Sequence, residues 1–263
     1  EMTETTGAPT VGGWDPDEGD AAEHRIEDTP PEADRTIPWP QRIVHSPTVR
    51  AVAAGLLIAG SLPPWGWWPL AFVGIALFDR LLAGTTAKQR LFRGSVLGWA
   101  LFTPTIFWIS QLTAPGYVIA VLFFGFLLGA CSMAVPPRAG RALGLVAVWV
   151  LCESLRTAWP FGGVPLSLLA VGQVAGPLWP IARIGGVLAM AGVTVALGVA
   201  LSAAGTRQWR RAGALVLGAL AVMGLALVAP TGRPTGKQIE VAFVQGGGPQ
   251  GTRAINTDRR KVF

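Results

Sequence analysis

The stretch from Val150 to Val174, VLCESLRTAWPFGGVPLSLLAVGQV, joins an apolar helical pattern to a segment that disfavours helix. Glu153 and Arg156 stand three residues apart, so both side chains lie on one face of a helix. From Pro160 onward prolines and glycines recur, which makes the segment a poor helix. Two opposite charges next to so much apolar sequence raise the question of whether the chain lies in a membrane.

Composition favours a membrane protein. The chain is 51% hydrophobic and 14% charged, whereas soluble domains carry about 25% charged residues. Of the 15 acidic residues, 11 precede residue 35, so an acidic tail is set apart from an apolar body. We predict that residues 1–46 form a disordered cytoplasmic tail, because the tail cannot bury enough apolar area to offset its chain entropy.

The apolar body divides into runs of helical length. We predict an all-α membrane protein, with a seven-helix transmembrane bundle in a domain over residues 47–230. Most runs approach the roughly 20 residues that cross the hydrocarbon core, and they are too long for barrel strands. The predicted spans are 48–63, 67–84, 91–110, 116–135, 142–159, 184–204 and 211–229.

Lys and Arg cluster in alternate turns between these spans, which is typical of the cytoplasmic side. This pattern predicts a cytoplasmic N-terminus and an extracytoplasmic segment after Pro230. Tryptophans at the opposite ends of the spans indicate the outer interface. The basic residues form no single stripe, so no nucleic-acid partner is expected despite a pI near 10.3.

Glu153 and Arg156 fall within the fifth span, where charges are costly and usually pair or face a cavity. One interpretation is a structural ion pair that locks this helix to its neighbours. The other is a cavity wall, where Arg156 meets an anionic headgroup and Glu153 orients it. The segment from Pro160 cannot expose unsatisfied backbone to lipid. We therefore expect a re-entrant or interfacial roof over the bundle, containing Gln173, and this favours the cavity.

The remaining polar residues of the body offer no catalytic set. Asp79 and Arg80 are interpreted as ordinary interfacial charges. Cys131 and Cys152 are interpreted as small buried hydrophobic residues. No metal site, cofactor motif or catalytic residue is predicted within the chain.

After Pro230 the pattern changes. Residues 231–238 are polar, 239–244 read as a β-strand, and a helix cap follows at Asn256 or Thr257. We predict that residues 231–263 form a linker and the first βα piece of a truncated α/β domain.

Three segments together resemble the bacterial apolipoprotein N-acyltransferase family. SLPPWGWWPLAFVGIALF at 61–78 resembles its first helical hairpin, and LCESLRTAWPFGGVPLSLLAVGQV at 151–174 resembles its Glu-x-x-Arg helix and following segment. VAFVQGGGPQ at 241–250 resembles the first strand of its nitrilase-like domain, although Gly247 replaces the commoner Asn. The resemblance covers residues 50–263.

The resemblance implies a multi-pass plasma-membrane (inner-membrane) enzyme. Such enzymes transfer an acyl chain from a phospholipid to the α-amino group of an apolipoprotein's N-terminal S-diacylglyceryl-cysteine, through a Glu-Lys-Cys triad in the nitrilase-like domain. None of that triad matches a residue here, so we expect the fragment alone to be inactive. The resemblance and the roof together point to lipid- or substrate-binding roles for Glu153, Arg156, Trp159, Pro165 and Gln173.

Two other functions are compatible with a multi-pass membrane chain of this kind. Some relatives of this family are fused to or partnered with a polyprenol-phosphate mannose synthase, so the chain could anchor or activate such an enzyme. A transporter is the third possibility, but the two halves of the body show no inverted repeat.

Overall fold

The computed structural model describes residues 46–160, 162–230, 236 and 240–243. Within these residues the fold is all-helical and contains seven α-helices, as predicted. The α-helices are α1 Pro47–Ser61, α2 Pro69–Leu82, α3 Ala87–Thr105, α4 Ala114–Ser132, α5 Arg141–Ala158, α6 Ala182–Gly205 and α7 Trp209–Val228. Short 3₁₀ helices occupy Phe107–Gln111, Leu169–Gln173 and Trp179–Ile181.

The observed helix boundaries differ from the predicted spans by a few residues, for local reasons. α3 begins four residues earlier than expected, because Thr86 and Gln89 form a capping box in which each side chain bonds the other's backbone N–H. α3 also ends early, just after Pro104, and the chain continues as a 3₁₀ turn. Proline occupies the first position of both α1 and α2, where its missing N–H costs nothing.

Three segments are long and apolar enough to cross a membrane by length and composition. They are Ala114–Ser132, Trp179–Gly205 and Trp209–Val228. α1 is apolar but shorter. These segments support the prediction of a membrane protein.

Six of the helices close into a ring. Going round, α1 packs on α2, α2 on α6, α6 on α5, α5 on α4, α4 on α3, and α3 again on α1. α7 lies outside the ring against α6. The largest apolar cluster fills the interior, with Ile58, Phe78, Leu97, Phe102 and Trp149 among its buried members.

Small residues let α3 and α4 approach closely. Gly94 and Gly98 on α3 face Gly125 and Gly129 on α4, each pair at GxxxG spacing. A Cβ added at Gly98 would lie 2.6 Å from the Gly125 Cα, and one added at Gly94 would lie 2.9 Å from the Gly129 Cα. Membrane helices associate mainly through such close van der Waals packing.

The interpretation of Asp79 as an ordinary interfacial charge is wrong. Its side chain is buried and accepts hydrogen bonds from Arg141 Nε (2.8 Å) and Nη2 (3.3 Å) and from Ser202 Oγ (2.7 Å). These partners belong to α5 and α6, so Asp79 links three helices of the ring. Arg80 is exposed, in keeping with its predicted interfacial position, and reaches the Ser202 carbonyl at 3.5 Å.

Several predictions lie outside the described residues. They include the acidic tail at 1–45, most of the linker, and the helix start near Asn256. Of the expected strand at 239–244, only 240–243 are described, without regular secondary structure. The βα fragment therefore stays a prediction.

Candidate functional site

The chain turns back over the ring as soon as α5 ends. The Val164 N–H donates to the Arg156 carbonyl at 2.7 Å, and the Gly163 N–H donates to the Pro160 carbonyl at 2.8 Å. Gly163 has φ +106°, and a Cβ there would lie 2.5 Å from the Thr157 carbonyl carbon. Glycine is thus required for this reversal. We call residues 162–173 the roof segment.

Glu153 holds the roof segment from below. Its Oε1 accepts hydrogen bonds from the Leu169 backbone N–H at 2.8 Å and from Trp149 Nε1 at 3.1 Å. Trp149 lies one helical turn earlier on the same face of α5. The carboxylate is 2% exposed, so these bonds are made away from solvent, where losing one is costly.

Arg156 holds the same segment one turn further along. Its Nη2 donates to the Leu166 carbonyl. The guanidinium lies over two aromatic rings, with its Cζ 4.6 Å from the Phe102 centroid and 5.3 Å from the Phe124 centroid. At these distances the ring faces attract the cation. The rings come from α3 and α4, so Arg156 ties the roof segment to three helices.

Glu153 and Arg156 do not pair with each other. Among the described residues the one ion pair is Asp79–Arg141. Within the same residues, Glu153 Oε2 and Arg156 Nε are buried without a hydrogen-bond partner. The ion-pair interpretation therefore fails in its direct form, and each charge instead binds backbone of the roof segment.

A small cavity lies between these charges and the roof segment. It is lined by Phe102, Trp149, Glu153, Arg156, Ser167 and Leu169, among others. Its volume of about 10 Å³ holds about one water molecule. With the roof segment in this position, the cavity has no room for a larger molecule.

Gln173 fastens the far end of the roof segment. It is fully buried, and its Nε2 donates to the Trp68 carbonyl at 3.1 Å, just before α2 begins. Its Oε1 has no partner in the described part of the chain. The Gln173 side chain thus binds the backbone of the turn before α2 rather than that of its own segment.

Trp159 and Pro165 differ from the three anchors in being exposed. Trp159 follows α5 and packs against Phe123 on α4, with ring centroids 5.5 Å apart. It is 53% exposed, as an interfacial tryptophan would be. The structure therefore divides the five predicted residues into three buried anchors and two surface residues.

The other face of the roof segment borders an open groove of about 510 Å³. Its lining includes Leu62, Pro64, Pro104, Trp108, Ser167 and Val171. Ser167 lines both this outer groove and the inner cavity. It has φ +52°, a left-handed conformation that is costly for a residue other than glycine. Such strain is often found at functional sites.

Several residues of this site could not be predicted from the sequence. Phe102, Phe124 and Ser167 lie far from Arg156 in sequence or carry no motif. Trp149 could have been found, because its position four residues before Glu153 places both side chains on one helix face.

No group of three His, Cys, Asp or Glu side chains that could hold a metal ion occurs within the described residues.

One protein-family model matches more than half of the chain. The model of the apolipoprotein N-acyltransferase N-terminal domain matches residues 54–200. The chain belongs to the apolipoprotein N-acyltransferase family. The matched range includes α5, the roof segment and all five predicted site residues, so the family resemblance seen in the sequence is confirmed.

Individual relatives of this family agree. The apolipoprotein N-acyltransferase of Mycolicibacterium smegmatis is 31% identical over 244 residues, covering 83% of this chain and 41% of the relative. That of Pseudomonas aeruginosa strain LESB58 is 29% identical over 204 residues, covering 71% and 38%. That of Pseudomonas syringae pv. tomato is 31% identical over 232 residues, covering 79% and 44%. The chain thus spans about two fifths of the length of these relatives.

Proposed function

We propose that this chain is the membrane part of an enzyme that moves an acyl chain from a phospholipid to the α-amino group of a lipoprotein's N-terminal diacylglyceryl-cysteine. The membrane part holds the phospholipid donor. Family membership over the matched range supports the reaction class. The names of the relatives support an N-acyltransferase acting on apolipoproteins.

One observation carries the role of the membrane part. Two buried charges, Glu153 and Arg156, hold an irregular segment whose opposite face borders an open groove. Burying a charge in a membrane is expensive and marks a functional site by default. Here hydrogen bonds from both charges to the roof segment offset part of this cost. The groove beside the roof segment is where a lipid fits.

The five residues then divide their work. Glu153, Arg156 and Gln173 act as positioning residues, because they are buried and bind backbone. Trp159 and Pro165 lie on the surface and are free to touch lipid or the acceptor. Arg156 contacts a lipid phosphate directly only when the Leu166 carbonyl releases it.

Two further parts of the proposal concern the chain as a whole. The turns rich in Lys and Arg face the cytoplasm, and the roof segment faces outward. Residues 231–263 begin the outer nitrilase-like domain, which supplies the thioester chemistry. Anchoring of a polyprenol-phosphate mannose synthase stays an untested alternative, which co-purification with such an enzyme would favour.

A chimera tests the proposal. Residues 47–230 replace the matching part of the Mycolicibacterium smegmatis relative, and the purified product is given phosphatidylethanolamine and a diacylglyceryl-cysteine peptide. We expect acyl transfer to the peptide amine, detected by mass spectrometry. A folded chimera that binds both substrates without transfer would contradict the proposal. The unmodified relative and a form lacking the membrane part serve as controls.

A further inference from the structure

A second groove lies on the flank of the ring. It has a volume of about 520 Å³ and is lined by apolar residues from α1, the turn before α2, and α3, including Ala53, Leu56, Gly60, Trp65, Trp67 and Pro104. We call it the lateral groove. Its volume lies within the range of about 300–1,000 Å³ usual for ligand pockets. Ala53 and Gly60 make it concave, because neither fills the space between the larger neighbours.

The lateral groove and the outer groove adjoin. Pro104 lines both of them. The outer groove in turn shares Ser167 with the cavity at Arg156. From the flank of the ring to the roof segment, the two grooves and the cavity are therefore neighbours, with Pro104 at one boundary and Ser167 at the other.

Polarity changes from the flank of the ring to the roof segment. The lateral groove is lined by apolar residues alone, whereas Thr105, Gln111 and Ser167 bring polar groups into the outer groove. Beyond Ser167 lies the inner cavity, whose lining includes both the Arg156 guanidinium and the Glu153 carboxylate. An amphiphile with an apolar tail and a polar, charged head matches this order from one end to the other.

Two exposed tryptophans fix the depth of the lateral groove. Trp65 is 45% exposed and Trp67 is 64% exposed. Exposed tryptophans of membrane proteins settle at the level of the lipid headgroups. The groove therefore begins at the interface and runs down α1 toward Ala53, along the direction of a lipid chain.

We propose that the two grooves form one site for a phospholipid, with an acyl chain in the lateral groove and the glycerol-phosphate end in the outer groove. The inference rests on the proposed function and adds where the donor lies and by which flank it arrives. An acyl chain gains little on moving from bilayer to an apolar groove, since both are apolar. Selection for a phospholipid therefore comes from the polar end, at Gln111, Ser167 and the roof segment.

Photo-crosslinking of the chain in vesicles tests this site. The vesicles contain phosphatidylethanolamine and phosphatidylglycerol, with a trace of phosphatidylethanolamine that carries a diazirine at the end of one acyl chain. After irradiation, labelled residues are identified by mass spectrometry. We expect labelling concentrated between residues 53 and 70, above the labelling of the other lipid-facing helices.

Variants separate this site from general contact with lipid. Ala53→Phe fills the lateral groove and should lower the labelling of residues 53–70 about tenfold, equivalent to about 1.4 kcal/mol. Ala214→Phe adds the same ring on the exposed face of α7 and should leave the labelling unchanged. Ala53→Leu fills less of the lateral groove and replaces Ala53→Phe in the test if that variant does not fold.

Three results would overturn the inference. They are labelling spread evenly over the exposed faces of α4 and α7, labelling unaffected by either Ala53 variant, and equal labelling by a free fatty acid with the same diazirine. The last would show that no polar end is recognised. The chimera distinguishes the two proposals: acyl transfer without groove labelling overturns the site alone, and groove labelling without acyl transfer overturns the proposed function alone.

Discussion

The Glu153 carboxylate and the Leu169 backbone N–H, 16 residues apart in sequence, are joined by a buried hydrogen bond of 2.8 Å. This bond fixes the middle of the roof segment to α5. On one side of this bond, Arg156 binds the Leu166 carbonyl of the segment. On the other side, Gln173 ties the end of the segment to the Trp68 carbonyl. Through the roof segment, the two buried charges act on the proposed lipid site.

The first prediction concerns this bond. Glu153→Ala removes the acceptor and should raise hydrogen exchange at the Leu169 amide about 10- to 100-fold, because a buried bond of this kind is worth about 1–3 kcal/mol. Glu153→Gln keeps a carbonyl oxygen in place and should retain most of the protection. Hydrogen exchange measured by mass spectrometry on the protein in micelles gives the result. Equal protection in Glu153→Ala and the wild type would show that the bond does not hold the roof segment.

The second prediction concerns the Asp79–Arg141 pair. Asp79→Ala leaves Arg141 without its carboxylate and should lower the free energy of unfolding by about 3 kcal/mol. Because Arg141 is partly exposed, with 17% of its side chain accessible, this loss of stability should lie at the lower end of the range for buried ion pairs. Replacing both residues with leucine should recover part of the loss. Denaturation in mixed micelles measures these variants together with Arg141→Ala and the double alanine variant. Additive losses in the double alanine variant would argue against coupling.

The third prediction concerns the contact between α3 and α4. Gly125→Leu places a large side chain against Trp99 on α3, whose backbone N would lie 2.9 Å from the added Cβ. It should destabilise the fold by more than about 2 kcal/mol. Gly218→Leu is the matched control, since Gly218 lies in a helix with nothing within 4 Å of an added Cβ. Thermal unfolding in micelles compares the two variants. A similar midpoint for both would mean that the close approach is unimportant.

The fourth prediction concerns orientation. In a background where Cys131 and Cys152 are replaced by alanine, a new cysteine at Gln111 should react with a membrane-impermeant maleimide in intact cells. One at Lys88 should react only after permeabilisation, because the proposed topology places the basic turn before α3 in the cytoplasm. Both positions are exposed in the structure. The opposite pattern of labelling would reverse the proposed topology.

Most of the fold followed from the sequence because the bilayer sets the length of apolar runs and favours helices. All seven helices were placed within a few residues. The boundaries of α3 were the least accurate, since they depend on the capping box at Thr86 and on a 3₁₀ continuation after Pro104. Such local hydrogen bonding leaves little trace in hydropathy.

The site was predicted less completely, because its contacts join distant parts of the chain. Spacing put Glu153 and Arg156 on one face but could not show that each binds the roof segment rather than the other. Asp79 was misjudged for the same reason, as its partner Arg141 lies 62 residues away. Phe102 beneath Arg156 and the strained Ser167 became recognisable only in three dimensions.

The central claim is that Arg156 positions the roof segment for lipid-dependent acyl transfer. The most direct test is the turnover of the chimera carrying Arg156→Ala, compared with Arg211→Ala, an exposed arginine near the start of α7. The account predicts that Arg156→Ala lowers acyl transfer at least about tenfold, or about 1.4 kcal/mol, at unchanged protein abundance, and that Arg211→Ala changes little. Normal turnover by Arg156→Ala at normal abundance would contradict the account.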